Sequence, residues 1–158
     1  MWVRTTYGIG QSVSADQGAS WSPVEPSRVP HPTSRFFLRR LRSGTILLVK
    51  NGPMHTRTGR SDLTPFLSND EGQSWTGGLL LDGRARVSYP DGAQAPDGTI
   101  HLVYDRDRTG AREILMARFT EDNVLRGTCG SQGSVLRMLI NEATGDSPTG
   151  AEGMKTSH

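Results

Sequence analysis

The sequence has little from which a disulfide framework, a metal cluster or a membrane span is built. One cysteine, Cys129, stands among 158 residues, which excludes an internal disulfide and a thiolate metal cluster. No apolar run approaches the roughly 18 residues a helix needs to cross a bilayer. An excess of one charge is also missing: 18 basic and 16 acidic residues leave +2. That balance is no argument for nucleic acid or an anionic membrane surface. The histidines His31, His55 and His101 show no metal-ligand spacing, and the Gly8-Ile9-Gly10 triplet lacks the third glycine of a dinucleotide site, so no metal or cofactor is implied. The opening MWVRTTYG has no charged stretch followed by an apolar one and does not read as a secretory leader. It reads as the middle of a strand, which suggests an internal stretch of a longer parent or a truncated start. Glycine and proline, at 19 and 9 residues, are what the chain has in plenty, as expected for many turns between short strands.

Against this background a repeat stands out. SADQGASW (residues 14–21) and SNDEGQSW (residues 68–75) carry the same letters in the same slots, 54 residues apart. Ser14, Asp16, Gly18 and Trp21 match Ser68, Asp70, Gly72 and Trp75. GTILLV from Gly44 returns as GTIHLV from Gly98 at the same offset, and Ser34-Arg35 falls opposite Ser88-Tyr89. Three features sharing one period mark a structural unit of about 54 residues.

The units read as strands. RFFLRRL, TILLVK, TIHLVYD and EILMARF are short, rich in β-branched and aromatic residues, and bounded by turn formers. Several do not alternate: Leu47-Leu48 and Phe36-Phe37 are adjacent apolar pairs. A strand apolar on both sides is covered on both sides, and repeated sheets stacked face to face provide that cover, as in a β-propeller. Each box then reads as a turn. The Asp side chain accepts bonds from backbone N–H groups two or three residues on, the Gly takes positive φ, and the Trp buries its ring between layers. His101 alternates with apolar neighbours as a packed strand residue, and YDRDR (residues 104–108) reads as a polar turn closing a hairpin. TEDNVLRG (residues 120–127) predicts a short helix capped by Thr120, with Glu121 and Asp122 at its start and Arg126 and Gly127 at its exit. SVLRMLIN (residues 134–141) predicts a last strand.

The S-x-D-x-G-x-S-W box resembles the Asp-box of the sialidase-like (BNR-repeat) propellers, over residues 2–127. The resemblance implies an all-β fold, here two to three four-stranded blades of a six-bladed ring. Six such units need roughly 300 residues, so the chain is expected to be a C-terminal part. Its blades would occupy residues 1–140, and residues 141–158, with little to bury, would form a disordered tail. Either the missing blades of the parent or self-association would cover the open faces.

The resemblance also implies a chemistry. Such enzymes hold the carboxylate of a terminal sialic acid with arginines, whose planar forks suit it, and attack with a Tyr nucleophile activated by a Glu, while an Asp acts as general acid. Arg4 and Arg60, on the strands entering the two boxes, match two of the arginines. Tyr89 matches the nucleophile, with Pro90 standing where the family has Ser. Arg35 shares the slot of Tyr89 one repeat earlier and is a possible substrate contact. The remaining Arg, the Asp and the Glu would all precede Arg4. A phenol with a pKa of about 10 and no base is a poor nucleophile, so the chain alone is expected not to turn over sialosides. The implied partner is a sialylated or similar acidic glycan. The alternatives are a non-catalytic glycan-binding propeller or a glycosidase acting on another sugar. The compartment stays open, although relatives of this kind are often secreted or periplasmic.

Overall fold

Among the described residues the apolar runs fold into ten short strands joined mainly by turns and irregular connections. A computed structural model describes residues 1–130 and 133–145. The strands are β1 (Trp2–Thr5), β2 (Gly8–Gln11), β3 (Glu25–Pro26), β4 (Phe37–Arg40), β5 (Ile46–Asn51), β6 (Leu63–Ser68), β7 (Val87–Gln94), β8 (Ile100–Arg106), β9 (Glu113–Phe119) and β10 (Val135–Glu142); one helix, α1 (Glu121–Arg126), lies between the last two. They make three antiparallel sheets, ordered β1-β2-β3, β4-β5-β6 and β10-β9-β8-β7. The architecture is all-β, as the sequence implies, and compatible with part of a propeller. Only the third sheet has four regular strands. In the second, residues 76–82 run beside β6 as a broken fourth strand, bridging Leu67 to Thr76 and Leu63 to Asp82. Gly77 and Gly78, at φ 79° and 138°, interrupt it.

Each box follows the strand before the last of its sheet. The first lies between β2 and β3, the second between β6 and residues 76–82. In the third sheet that connection is α1 instead. Thr120 caps it by accepting from the Asn123 N–H, the Asn123 side chain answers at the Thr120 N–H, and Gly127 ends it at φ 68°. The strand expected over 134–141 is β10, which runs to Glu142. From residue 146 onward the expected tail lies outside the described residues.

Adjacent apolar residues face different layers. Leu47 and Val49 point into a large cluster with Leu63, Leu67, Val87, Leu102 and Phe119, between the second and third sheets. Leu48 points the other way, to Ile9, Val29, Met54 and Phe66, with Trp2, Phe36 and Trp75 at the margin, between the first and second sheets. A shift of one repeat carries Leu48 to Leu102, and each faces the preceding sheet. The same shift carries Val49, fully buried, to Val103, which is 41% exposed, with no sheet packed on that side among the described residues.

The boxes themselves are tied by hydroxyls. In the second, Ser68 Oγ accepts from the Gly72 N–H at 2.9 Å and donates to Asp70 Oδ1 at 2.8 Å. Asp70 Oδ1 accepts from the Ser74 N–H at 2.8 Å, four residues on rather than the two or three expected. The longer reach follows from two successive left-handed residues, Glu71 at φ 60° and Gly72 at φ 83°, which curl the turn around the carboxylate. The first box repeats these bonds from Ser14 and Asp16 to Gly18 and Ser20. The tryptophans differ. Trp75 packs on Trp2 of the neighbouring sheet at 5.9 Å. Trp21 stands in the same slot but is 48% exposed, with no ring contact to it among the described residues. Its indole N–H instead donates to the Gly18 carbonyl at 3.1 Å.

Three depressed pKa values give the fold a two-step acid response. His31, expected in an ordinary loop, is buried with neither ring nitrogen satisfied among the described residues. Burial first, and then the charge of Lys50, lowers it from 6.5 to about 4. Bonds from Ser20 to Asp16, and from Ser74 to Asp70, lower those carboxyls from 3.8 to about 2. In each case the unfolded chain takes up a proton before the folded one, so stability is complete above the ordinary value and is lost as pH falls through the folded one. Melting temperature should fall first between pH 6.5 and 4, with His31 costing about 3 kcal/mol, and again below pH 3.8. His31→Gln should abolish the first decline and leave the second.

Candidate functional site

Three edge strands bring residues from distant parts of the chain to one place. β1 carries Arg4, the residues just before β4 include Arg35, and β7 carries Tyr89. Neither Arg4 nor Arg60 lies on the strand that runs into its box. Arg4 is on β1, one strand earlier than β2, and Arg60 is in the connection before β6. The β1–β2 turn is tight and the β5–β6 connection is long, so both side chains still reach the same end of the sheets.

Arg4 Nη1 donates to the Tyr89 hydroxyl at 3.0 Å. The Arg4 and Arg60 guanidinium carbons each lie 5.9 Å from the Tyr89 ring centre, within cation–π range. Arg60 Nη2 also donates to the Thr33 carbonyl at 3.1 Å. Among the described residues neither arginine is paired with a carboxylate. Two exposed, permanently charged forks thus meet over one phenol with acceptor capacity to spare. Arg35 pairs with Asp91 at 3.1 Å. It lines, with Arg4, Trp2, Phe36 and Asp91, an open cleft of about 420 Å³. It stands beside the Tyr89 group rather than on it.

Tyr89 occupies an unusual backbone position, φ 56°. A bulky residue in the left-handed region costs about 1–3 kcal/mol and persists only where its surroundings impose it. Here the pairing of β7 with β8 skips between Ser88 and Asp91, a bulge that turns the Tyr89 ring out of the sheet. Pro90 falls inside the skip, where no N–H is needed for the ladder, so the departure at this position is compatible with the strand. The hydrogen bond from Arg4 first, and then the nearby Arg108, lower the phenol's pKa below its ordinary value.

Arg108 was not singled out by the sequence. Its segment does form the polar turn between β8 and β9, but its guanidinium lies 3.7 Å from the Tyr89 ring centre. Spacing carries no sign of this, because the contact depends on the β7–β8 bulge and on the turn bringing residue 108 back over β7. No group of three or more His, Cys, Asp or Glu side chains converges among the described residues. No helix there is long and apolar enough to cross a membrane.

Stacked antiparallel sheets, two of them carrying an Asp-box turn between their last two strands, define a repeat protein of the propeller type. The chain belongs to the BNR repeat-like domain family, which matches residues 1–102, from β1 into β8. Domains of this family are found in sialidase-like glycosidases and related proteins. No curated protein matches the chain.

Proposed function

We propose that the chain is part of an exo-α-sialidase-like glycoside hydrolase and that Arg4, Arg60 and Tyr89 form its site for a terminal acidic sugar. One observation carries the reading: two arginines with no carboxylate partner among the described residues meet over a tyrosine held out of its strand. Forks of this kind suit a sugar carboxylate, and the phenol between them suits attack at the adjacent anomeric carbon, with Arg35 contacting the rest of the sugar. The test is titration of the pure chain with free sialic acid. Saturable binding that Arg60→Ala weakens at least about tenfold supports the reading; absence of binding by the wild-type chain overturns it.

Binding and hydrolysis are separate expectations. The Tyr89 hydroxyl has a cationic partner and, among the described residues, no carboxylate bonded to it. The chain by itself is therefore expected to bind without turnover, an observation that equally favours a non-catalytic glycan-binding propeller. A fluorogenic sialoside should give no signal above buffer. Hydrolysis that Tyr89→Phe removes would show that the chain is catalytically sufficient.

We further propose that the face bearing Trp21, Val13 and Val24, all exposed, receives another blade presenting an aromatic as Trp2 does to Trp75. Trp21→Ser should then weaken concentration-dependent self-association measured by sedimentation, or weaken recombination with a separately produced preceding blade. No change in either would contradict it.

A further inference from the structure

We infer that Arg108 is a positioning residue for Tyr89: its guanidinium, stacked on the ring and braced from behind, holds the phenol against Arg4. This rests on the reading of Tyr89 as the reactive phenol of the site, although the contacts stand without it.

The geometry is that of a clamp. Arg108 covers the Tyr89 ring face at 3.7 Å, closer than either Arg4 or Arg60. Arg108 Nε is ion-paired to Asp105. Asp105 also accepts from the Ser88 hydroxyl at 2.8 Å, and Arg108 Nη2 reaches the same hydroxyl at 3.4 Å. Ser88 is the residue before Tyr89 and the last paired one before the bulge. The brace therefore fastens the strand where it departs from its ladder, and the stacked plane fixes the ring that the departure releases. Asp105 sits on β8 and Arg108 in the turn after it, so the clamp belongs to the same sheet as Tyr89 and stays with it if the neighbouring sheets shift.

A planar, permanently charged group suits this task better than an ammonium, which has no flat face to lay on the ring. The charged groups around Tyr89 are Arg4 from β1, Arg60 from the β5–β6 connection, Arg108 with its partner Asp105, and the Arg35–Asp91 pair beside the cleft. Tyr104 lines the same shallow hollow but gives its hydroxyl to Asp82. The positive groups against the ring outnumber the negative ones, and both carboxylates named are occupied, Asp105 in holding Arg108 and Asp91 in pairing with Arg35. Phenolate at Tyr89 is stabilised by position rather than by a base.

The test is a spectroscopic titration of phenolate absorbance in the full chain, which has three tyrosines. Burial, first, raises Tyr104 above the ordinary tyrosine range, so its absorbance stays clear of the step sought for Tyr89. The wild-type curve should contain one tyrosine's worth of absorbance that rises below the ordinary tyrosine range, and Tyr89→Phe should delete it. Arg108→Gln should move that step upward. Asp105→Asn serves as a second variant in case Arg108→Gln fails to fold, and it separates two effects. Loss of a negative charge alone would move the step down, whereas release of Arg108 from its brace moves it up. An upward shift in these variants supports the clamp. Coincident wild-type and Arg108→Gln curves, or a downward shift in Asp105→Asn, overturn it. If the shifts appear but sialic acid does not bind, the clamp stands and the acidic-sugar reading fails; if sialic acid binds and the curves coincide, the reverse holds.

Discussion

Leu48→Ala is expected to destabilise the protein by about 2–5 kcal/mol, a large share of the 5–15 kcal/mol typical of a folded domain. Leu48 is fully buried, in the smaller of the two clusters, among Ile9, Val29, Met54 and Phe66. Ile9 is on β2 of one sheet, Phe66 on β6 of the next, and Val29 and Met54 come from connections, so the cavity left by truncation cannot be closed by one sheet relaxing alone. At about 2–4 °C per kcal/mol for a chain of this size, thermal melts should show a drop of roughly 10 °C. The repeat supplies an internal control. Val49 and Val103 occupy the same slot one unit apart, yet Val49 is fully buried and Val103 is 41% exposed. Val49→Ala should therefore cost clearly more than Val103→Ala, which should stay within about 0.5–1 kcal/mol. Equal costs at the two positions would mean that the sheets do not stack as described.

Arg60→Ala is expected to weaken binding of an acidic sugar by about 10- to 150-fold, the equivalent of one charged hydrogen-bonding group at about 1.5–3 kcal/mol. Arg4→Ala should cost at least as much, because Arg4 also donates to the Tyr89 hydroxyl. The two losses should not add, since both arginines address one carboxylate over the same ring. Arg60→Lys should recover only part of the affinity, because an ammonium keeps the charge and loses the bidentate fork. Isothermal titration of each variant measures these ratios directly. Unchanged affinity in Arg4→Ala and Arg60→Ala would remove both arginines from the site.

Much of the fold was legible because it is written in repeats. The two boxes and the two GTI strands set the period, and the adjacent leucines of β5 announced a strand covered on both sides. What the repeat could not show was where cover ends: Trp21 and Trp75 are the same letter in the same slot, and only the presence of Trp2 beside one of them separates their environments. The site was legible in its parts and not in its assembly. Arg4, Arg60 and Tyr89 were picked out by resemblance and Arg35 by its slot in the repeat, but the carriers differ, with Arg4 one strand earlier than expected and Arg60 in a connection. His31 looked like a loop residue and is one, yet it is buried between sheets, which periodicity does not encode in an irregular segment. Arg108 escaped notice because its contact is created by a bulge that Pro90 accommodates.

The most direct test of the site compares free sialic acid with its methyl ester, which keeps the sugar and removes the carboxylate's charge. If Arg4 and Arg60 form a cradle for that group, the chain binds the acid saturably and the ester at least tenfold more weakly, about the loss of one charged hydrogen bond. Equal binding of both, or binding of neither, would contradict the account.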